Sequence, residues 1–197
     1  MKLIAITPEH DFALQDKFIC RLLDSGFDYV HIRKPTHSAD DMRILLDSLP
    51  QYTHKQLTLH SHFELANEYG IGGLHVNHRC HNVPANLHGK LRLSKSCHSI
   101  EELRDCSEYE YVLLSPIFNS ISKKGYRSNF TLGQLSATFK CSKTYNNVVA
   151  LGGIEPIHLK ELESCGFAGA AFLGYIFNST DMEKLDASIN TIIKESL

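Results

Sequence analysis

The chain has 197 residues, enough for one domain of ordinary size. Its 43% hydrophobic content is that of a globular protein with a core of its own, and 20 basic residues against 22 acidic ones give a net charge of −2. That balance, without a basic stripe, excludes a nucleic-acid binder built on phosphate neutralisation. The opening apolar run, Met1 to Thr7, is too short for a signal peptide, and no apolar stretch reaches the ~18 residues of a membrane span. The expectation is a soluble cytoplasmic protein. Its six cysteines (Cys20, Cys80, Cys97, Cys106, Cys141 and Cys165) form no C-x-x-C pair and are read as reduced thiols, with Cys20, Cys106 and Cys165 in helix-like segments.

Short β-branched runs recur in chain order: Leu3 to Thr7, Tyr29 to Arg33, Gln56 to His60, Gly73 to Val76, Leu91 to Ser94, Tyr111 to Leu114, Val148 to Leu151 and Ala168 to Leu173. Helix signals lie between them. Phe12 to Leu23 has apolar residues near a 3.6-residue period and closes on Ser25-Gly26. Ser38 opens a second helix with Asp41 at the capping-box position, and Ser99 with Glu102 repeats that signature. Pro84 and Asn86 break the unit after Val76. Pro156 fits the first turn of a helix ending at Cys165-Gly166, and Ser179 or Thr180 caps a last helix running to about Lys194.

Strands alternating with helices predict a parallel sheet. An open doubly wound sheet lacks its strongest sign here, a G-x-G-x-x-G turn after the first strand. The reading is therefore a single (β/α)8 TIM barrel over residues 1–197, tight at about 25 residues per unit.

In such a barrel, chemistry sits where strands end and βα loops begin. Gly152-Gly153 after the seventh strand and Gly174 after the eighth offer unobstructed backbone N–H groups to an anion, and these two loops are the usual barrel phosphate site. The loop from Ser115 to Gly125 carries three hydroxyls and two lysines. His31 and Arg33 share one face of the second strand by the period-two rule. An inward arginine needs either a carboxylate partner or an anionic ligand.

Val30 to Lys34, Ser96 to Glu102, Tyr111 to Lys123, Ala150 to Ile154 and Gly166 to Phe177 occur in an order and spacing that resemble the thiamine-phosphate synthase family, thiazole tautomerases included. The resemblance implies a (β/α)8 barrel that binds a phosphorylated thiazole. Its synthases join that thiazole to hydroxymethylpyrimidine diphosphate with Mg²⁺ and displace pyrophosphate. It implies that Arg33 and Ser96 contact the diphosphate. Ser120, Ser122 and Lys123 match a Thr-x-Thr-Lys run, and Gly152, Gly153, Gly174 and Tyr175 cradle the thiazole phosphate.

The departures shape the expectation. Where synthases carry Asn-Asp-Arg, this chain has His60-Ser61-His62; where they carry Gly-Gln-Glu-Asp, it has Asn77-His78-Arg79-Cys80; a lysine expected after Arg33 is Pro35. Mg²⁺ wants oxygen ligands, so the metal-dependent reaction loses its carboxylates. The tautomerase branch moves one proton and needs no metal, but its catalytic histidine is Pro116 here. His31, His60, His62 and His98 stand at strand ends as substitutes, since histidine titrates near working pH. The reading leans to a metal-independent, tautomerase-like proton transfer with His31, His98 and Lys123 as catalytic groups and Arg33, His60, His62, Ser96, Ser120 and Ser122 on the substrate. The alternatives are the synthase, with Mg²⁺, and a non-catalytic binder of thiazole or thiamine phosphate. His75, His78, Cys80 and His81 crowd together with His60 and His62 upstream, but their spacing fits no standard closed zinc site, and no metal is expected. The expected partners are the phosphorylated thiazole and, for the synthase, the pyrimidine diphosphate, with no nucleic acid and no membrane. A homo-oligomer is compatible with the sequence.

Overall fold

The computed structural model describes residues 1–119, 130–141 and 145–197. Eight strands close into a parallel barrel in sequence order: β1 (Lys2–Ile6), β2 (Tyr29–Ile32), β3 (Leu57–Leu59), β4 (Gly73–Val76), β5 (Arg92–Cys97), β6 (Tyr111–Leu114), β7 (Val148–Leu151) and β8 (Gly169–Phe172). Ile4 pairs with Tyr29 on one side and with Ala171 on the other, which seals the ring.

The outer layer is uneven. α1 (Gln15–Asp24), α2 (Ala39–Asp47), α3 (Leu65–Tyr69), α4 (Leu132–Cys141), α5 (Leu159–Cys165) and α6 (Met182–Ser196) follow β1, β2, β3, β6, β7 and β8. Among the described residues no α-helix joins β4 to β5, as the Pro84 break foretold, and only a single 3-10 turn (Glu101–Leu103) joins β5 to β6.

The capping chemistry is visible. The Ser38 hydroxyl accepts from the Asp41 N–H at 3.2 Å while the Asp41 carboxylate accepts from the Ser38 N–H at 3.0 Å. Ser99 accepts from the Glu102 N–H at 3.2 Å, but the Glu102 carboxylate takes the His98 N–H, so no reciprocal box forms there and the segment stays a 3-10 turn. The last helix is capped by Asp181, which accepts from the Glu183 N–H at 2.8 Å, and not by Ser179 or Thr180; the Ser179 hydroxyl accepts from the Asp181 N–H instead. Cys20 lies in α1 and Cys165 in α5, whereas Cys106 falls in the turn after the 3-10 helix, its sulfur 3.7 Å from that of Cys97.

Strand alternation sorts two cores. Leu3, Ala5, Val30, Ile32, Leu57, Leu59, Val112, Leu114, Val148, Ala150, Ala170 and Phe172 face the helices. Ile4, Ile6, Tyr111, Leu113, Val149 and Ala171 fill the barrel. The stacked Tyr29 and Tyr111 rings, 5.6 Å apart, and the Arg92 guanidinium 4.0 Å over Tyr29 close the lower end. No helix of the described residues is long and apolar enough to cross a membrane.

Candidate active site

The carboxyl ends of the strands open into a cavity of about 880 Å³. Its walls differ. One is apolar and comes from β1, β6, β7 and β8: Ile6, Leu113, Leu151, Ala171 and Leu173. The other is polar and comes from β2 to β5, with Arg33, His60, His75 and Ser96. The β4–β5 loop adds Asn77, His78, Arg79, Cys80 and His81 to that side.

Gly152, Gly153, Gly174 and Tyr175 all line this one cavity, so the turns after β7 and β8 are neighbours in space. Glycine is required at two of these positions. Gly152 (φ 94°) and Gly153 (φ 64°) are left-handed, and a Cβ would meet the Pro116 Cα at 2.9 Å and the Asn119 carbonyl oxygen at 2.5 Å. The Gly152 carbonyl accepts from the Phe118 N–H at 3.0 Å, which pins the β7 turn to the β6 loop. Among the described residues no backbone carbonyl takes the N–H of Gly152, Gly153, Gly174 or Tyr175.

A chain of imidazoles, His31 and His75 buried and His60 half-buried, runs from the barrel interior into the polar wall. His31 bonds through Nδ1 to His60 Nε2 at 2.8 Å and through Nε2 to the Tyr111 hydroxyl at 2.7 Å. His75 bonds through Nδ1 to the Ser94 hydroxyl at 2.9 Å and through Nε2 to the Ser96 hydroxyl at 2.8 Å. The His60 and His75 rings stack at 4.2 Å. Burial holds His31 and His60 well below the ordinary histidine range, and burial with the Arg33 charge takes His75 down to about 3. All three are neutral at pH 7. Burial likewise pushes the Tyr111 phenol up to about 12, so it stays a neutral hydroxyl.

The expected residues separate into groups. Arg33, His60 and Ser96 line the cavity, and Arg33 also pairs with Glu9 at 2.7 Å, so its charge has a carboxylate partner as well as a view of the ligand space. His31 is wholly buried and outside the cavity lining, bonded to His60 and beside His75, both of which line the cavity. His62 is not part of the cavity lining: its ring nitrogens go to the His37 carbonyl at 2.8 Å and Glu64 at 3.3 Å, and its backbone is left-handed (φ 54°). His98 lines the cavity, its Nδ1 3.0 Å from the Ser115 carbonyl and 3.3 Å from the Ser115 hydroxyl; the tautomer that donates to the carbonyl carries its lone pair on Nε2. Ser120, Ser122 and Lys123 lie outside the described residues.

Tyr111, Ser94 and Ser115 were not singled out by the sequence reading. Their signal was available: Tyr111 and Ser94 occupy inward positions on β6 and β5, paired in register with each other.

The Mg²⁺ implied by the family resemblance does not fit. Among the described residues lining the cavity the only carboxylate is Glu102, and it is already taken by the His98 N–H at 2.9 Å.

Fold and cavity define a small (β/α)8 barrel whose ligand space lies at the carboxyl ends of its strands. The family model described as thiamine monophosphate synthase matches residues 3–176, and the chain belongs to that family. The thiamine-phosphate synthase of Latilactobacillus sakei is 28% identical over 144 residues, an alignment covering 70% of this chain and 63% of that protein; the chain thus matches less than two thirds of that relative's length. The crystal structure of thiamine phosphate pyrophosphorylase from Bacteroides thetaiotaomicron is 32% identical, with a TM-score of 0.87, and covers 100% of this chain and 98% of its own. The thiamine phosphate pyrophosphorylase of Pyrococcus furiosus, at 18% identity and a TM-score of 0.79 over 99% of this chain and 95% of its own, shares the fold.

Proposed function

We propose that the chain works in thiamine synthesis as a thiamine-phosphate synthase, joining a thiazole phosphate to hydroxymethylpyrimidine diphosphate with release of pyrophosphate. The observation that carries this reading is the two-walled cavity in a chain that matches a pyrophosphorylase over its full length. The N–H groups of the β7 and β8 turns, which meet no backbone carbonyl among the described residues, suit the thiazole's phosphate. The wall of Leu113, Leu151 and Leu173 suits two flat heterocycles held face to face, which supplies proximity. Arg33 and Ser96, across from the glycine turns, suit the second, more highly charged phosphate group. The expected substrates are these two small molecules. No step is assigned to Mg²⁺, because the described residues of the cavity offer a single carboxylate, Glu102.

One observation favours a second reading, thiazole tautomerisation. His98 stands against Ser115, the residue preceding Pro116, where the tautomerase pattern has its histidine. Its lone-pair Nε2 is a proton acceptor of the right kind beside the cavity. In this reading His98 takes and returns the proton, and the hydrogen-bonded His31–His60 pair holds the polar wall in place.

Two assays on the purified chain separate these readings. The synthase predicts pyrophosphate only when both substrates are present. The tautomerase predicts solvent-proton exchange into the thiazole, lost in His98→Gln and indifferent to chelator. If the chain binds thiazole phosphate and does neither, it is a binder and both enzymatic readings fall.

A further inference from the structure

We propose that His31, His60 and His75 form a three-imidazole site for a divalent transition-metal ion, zinc by preference, at the floor of the cavity. One ring nitrogen from each histidine lies within 4.8 Å of one from each of the others. Zinc with Zn–N bonds of about 2.0–2.1 Å holds its ligand nitrogens roughly 3.3 Å apart, so loading asks for ring shifts of about an ångström. The three residues come from adjacent strands β2, β3 and β4, with His60 at the residue after β3, so the barrel backbone presets their spacing.

The hydrogen bonds behind the rings carry the argument further. Ser94 lies 3.3 Å from the Leu74 carbonyl, and with its single proton given to that carbonyl it accepts from His75 Nδ1–H; loading selects this tautomer. The lone pair of His75 is therefore on Nε2, where Ser96 now donates. Tyr111 occupies His31 Nε2 and leaves Nδ1 for the ion, facing His60 Nε2. In both rings a fixed partner holds the remote nitrogen, which is how metal-binding imidazoles are oriented.

The donor set decides the metal. Three neutral nitrogens suit zinc or its neighbours and not Mg²⁺, which requires oxygen. His60 and His75 both reach the cavity, so a fourth coordination position opens on the ligand space, the arrangement of a reactive site and not a sealed structural one. The net charge of such a centre stays positive, which suits an anionic molecule above it. Arg33 is a cation on the same wall and opposes loading when that wall carries no anion.

The opposing account is a hydrogen-bonded core network only, with His60 Nε2–H donating to His31 Nδ1. The full chain, stripped with chelator, is titrated calorimetrically with Zn²⁺ and, separately, Mg²⁺. The site predicts one Zn²⁺ per chain and no comparable Mg²⁺ uptake. Loading with Co²⁺ should give the intense visible bands of a four-coordinate ion, discharged by added Zn²⁺. Loss of an orienting partner alone weakens metal sites by about 10–100-fold, so His60→Gln, which removes a ligand, should weaken Zn²⁺ at least ~100-fold. His75→Gln should do the same with the circular dichroism of the parent, and His88→Gln, on an exposed loop, should change nothing. The proposal is overturned by the lack of a stoichiometric Zn²⁺ site. It is equally overturned if binding survives both His60→Gln and His75→Gln, or is lost with His78→Gln and Cys80→Ser instead. These readouts need no substrate, so the site stands or falls apart from the reaction assigned above.

Discussion

The two halves of the barrel interior are built on opposite principles. From β6 through β8 to β1 the inward positions are filled by Leu113, Val149, Ala171, Ile4 and Ile6, all buried and apolar. From β2 to β5 they are filled by His31, Thr58, His75 and Ser94, as buried as their counterparts but polar. The first half contributes stability through area removed from water, at roughly 25 cal/mol per Å². The second contributes little on balance, because each hydrogen bond inside replaces one made with water. What it supplies is orientation: a closed network in which every imidazole of the cluster has at least one fixed partner. The contrast continues upward into the cavity, where the apolar half becomes a wall for rings and the polar half a wall for charge.

The contrast is open to direct attack. The largest effect is expected from pH. His31, His60 and His75 have folded pKa values below their unfolded value of ~6.5, so the unfolded chain binds more protons as pH falls. Their contribution is complete above about pH 7 and is lost as pH drops below ~6.5 toward the folded values. Each histidine contributes a slope of up to about 1.4 kcal/mol per pH unit in that window. Urea unfolding midpoints from pH 7 to 5 should therefore fall steeply, and His75→Gln should remove one proton's worth of that slope. A flat profile would mean that the histidines titrate freely.

Next comes Ile4→Asn. It places an amide in the apolar half with no partner and should cost roughly 4 kcal/mol in denaturant unfolding. A loss below about 1 kcal/mol would show that the apolar half tolerates polarity and that the division is accidental. The smallest is Tyr111→Phe, at the seam between the halves. It keeps the ring that packs on Tyr29 and removes only the hydroxyl on His31 Nε2, for an expected loss of about 1 kcal/mol with the fold intact.

Legibility did not follow the division: Gly73 to Val76 in the polar half became β4 with unchanged bounds, while β1 and β8 in the apolar half each shifted by a residue at both ends. The runs Tyr111 to Leu114 and Val148 to Leu151 became β6 and β7 with unchanged bounds, because β-branched and leucine residues on both faces leave little ambiguity. β5 was read as ending at Ser94 but runs on to Cys97, since Lys95 and Ser96 carry the polarity of a loop. Ser96 is polar because it faces His75, and that contact exists only once the barrel closes. α1 begins at Gln15 and not at Phe12, whose ring packs edge-on against Phe18 and Phe177 from the preceding loop. Gly152-Gly153 was read from sequence because a positive φ at each is a local requirement. The imidazole cluster was not. Linear proximity grouped His75 with His78, Cys80 and His81, with His60 and His62 upstream, whereas strand register joins it to Ser94 and Ser96 and keeps only His60 of that group, adding His31.

The account turns on the N–H groups of the β7 and β8 turns gripping a phosphoryl group beside an apolar wall. Calorimetric titration of the chain with a thiazole phosphate and with the same thiazole lacking its phosphate tests this most directly. The phosphorylated form should bind at least ~10-fold tighter, a difference of about 1.4 kcal/mol. Equal affinity for the two would contradict the account.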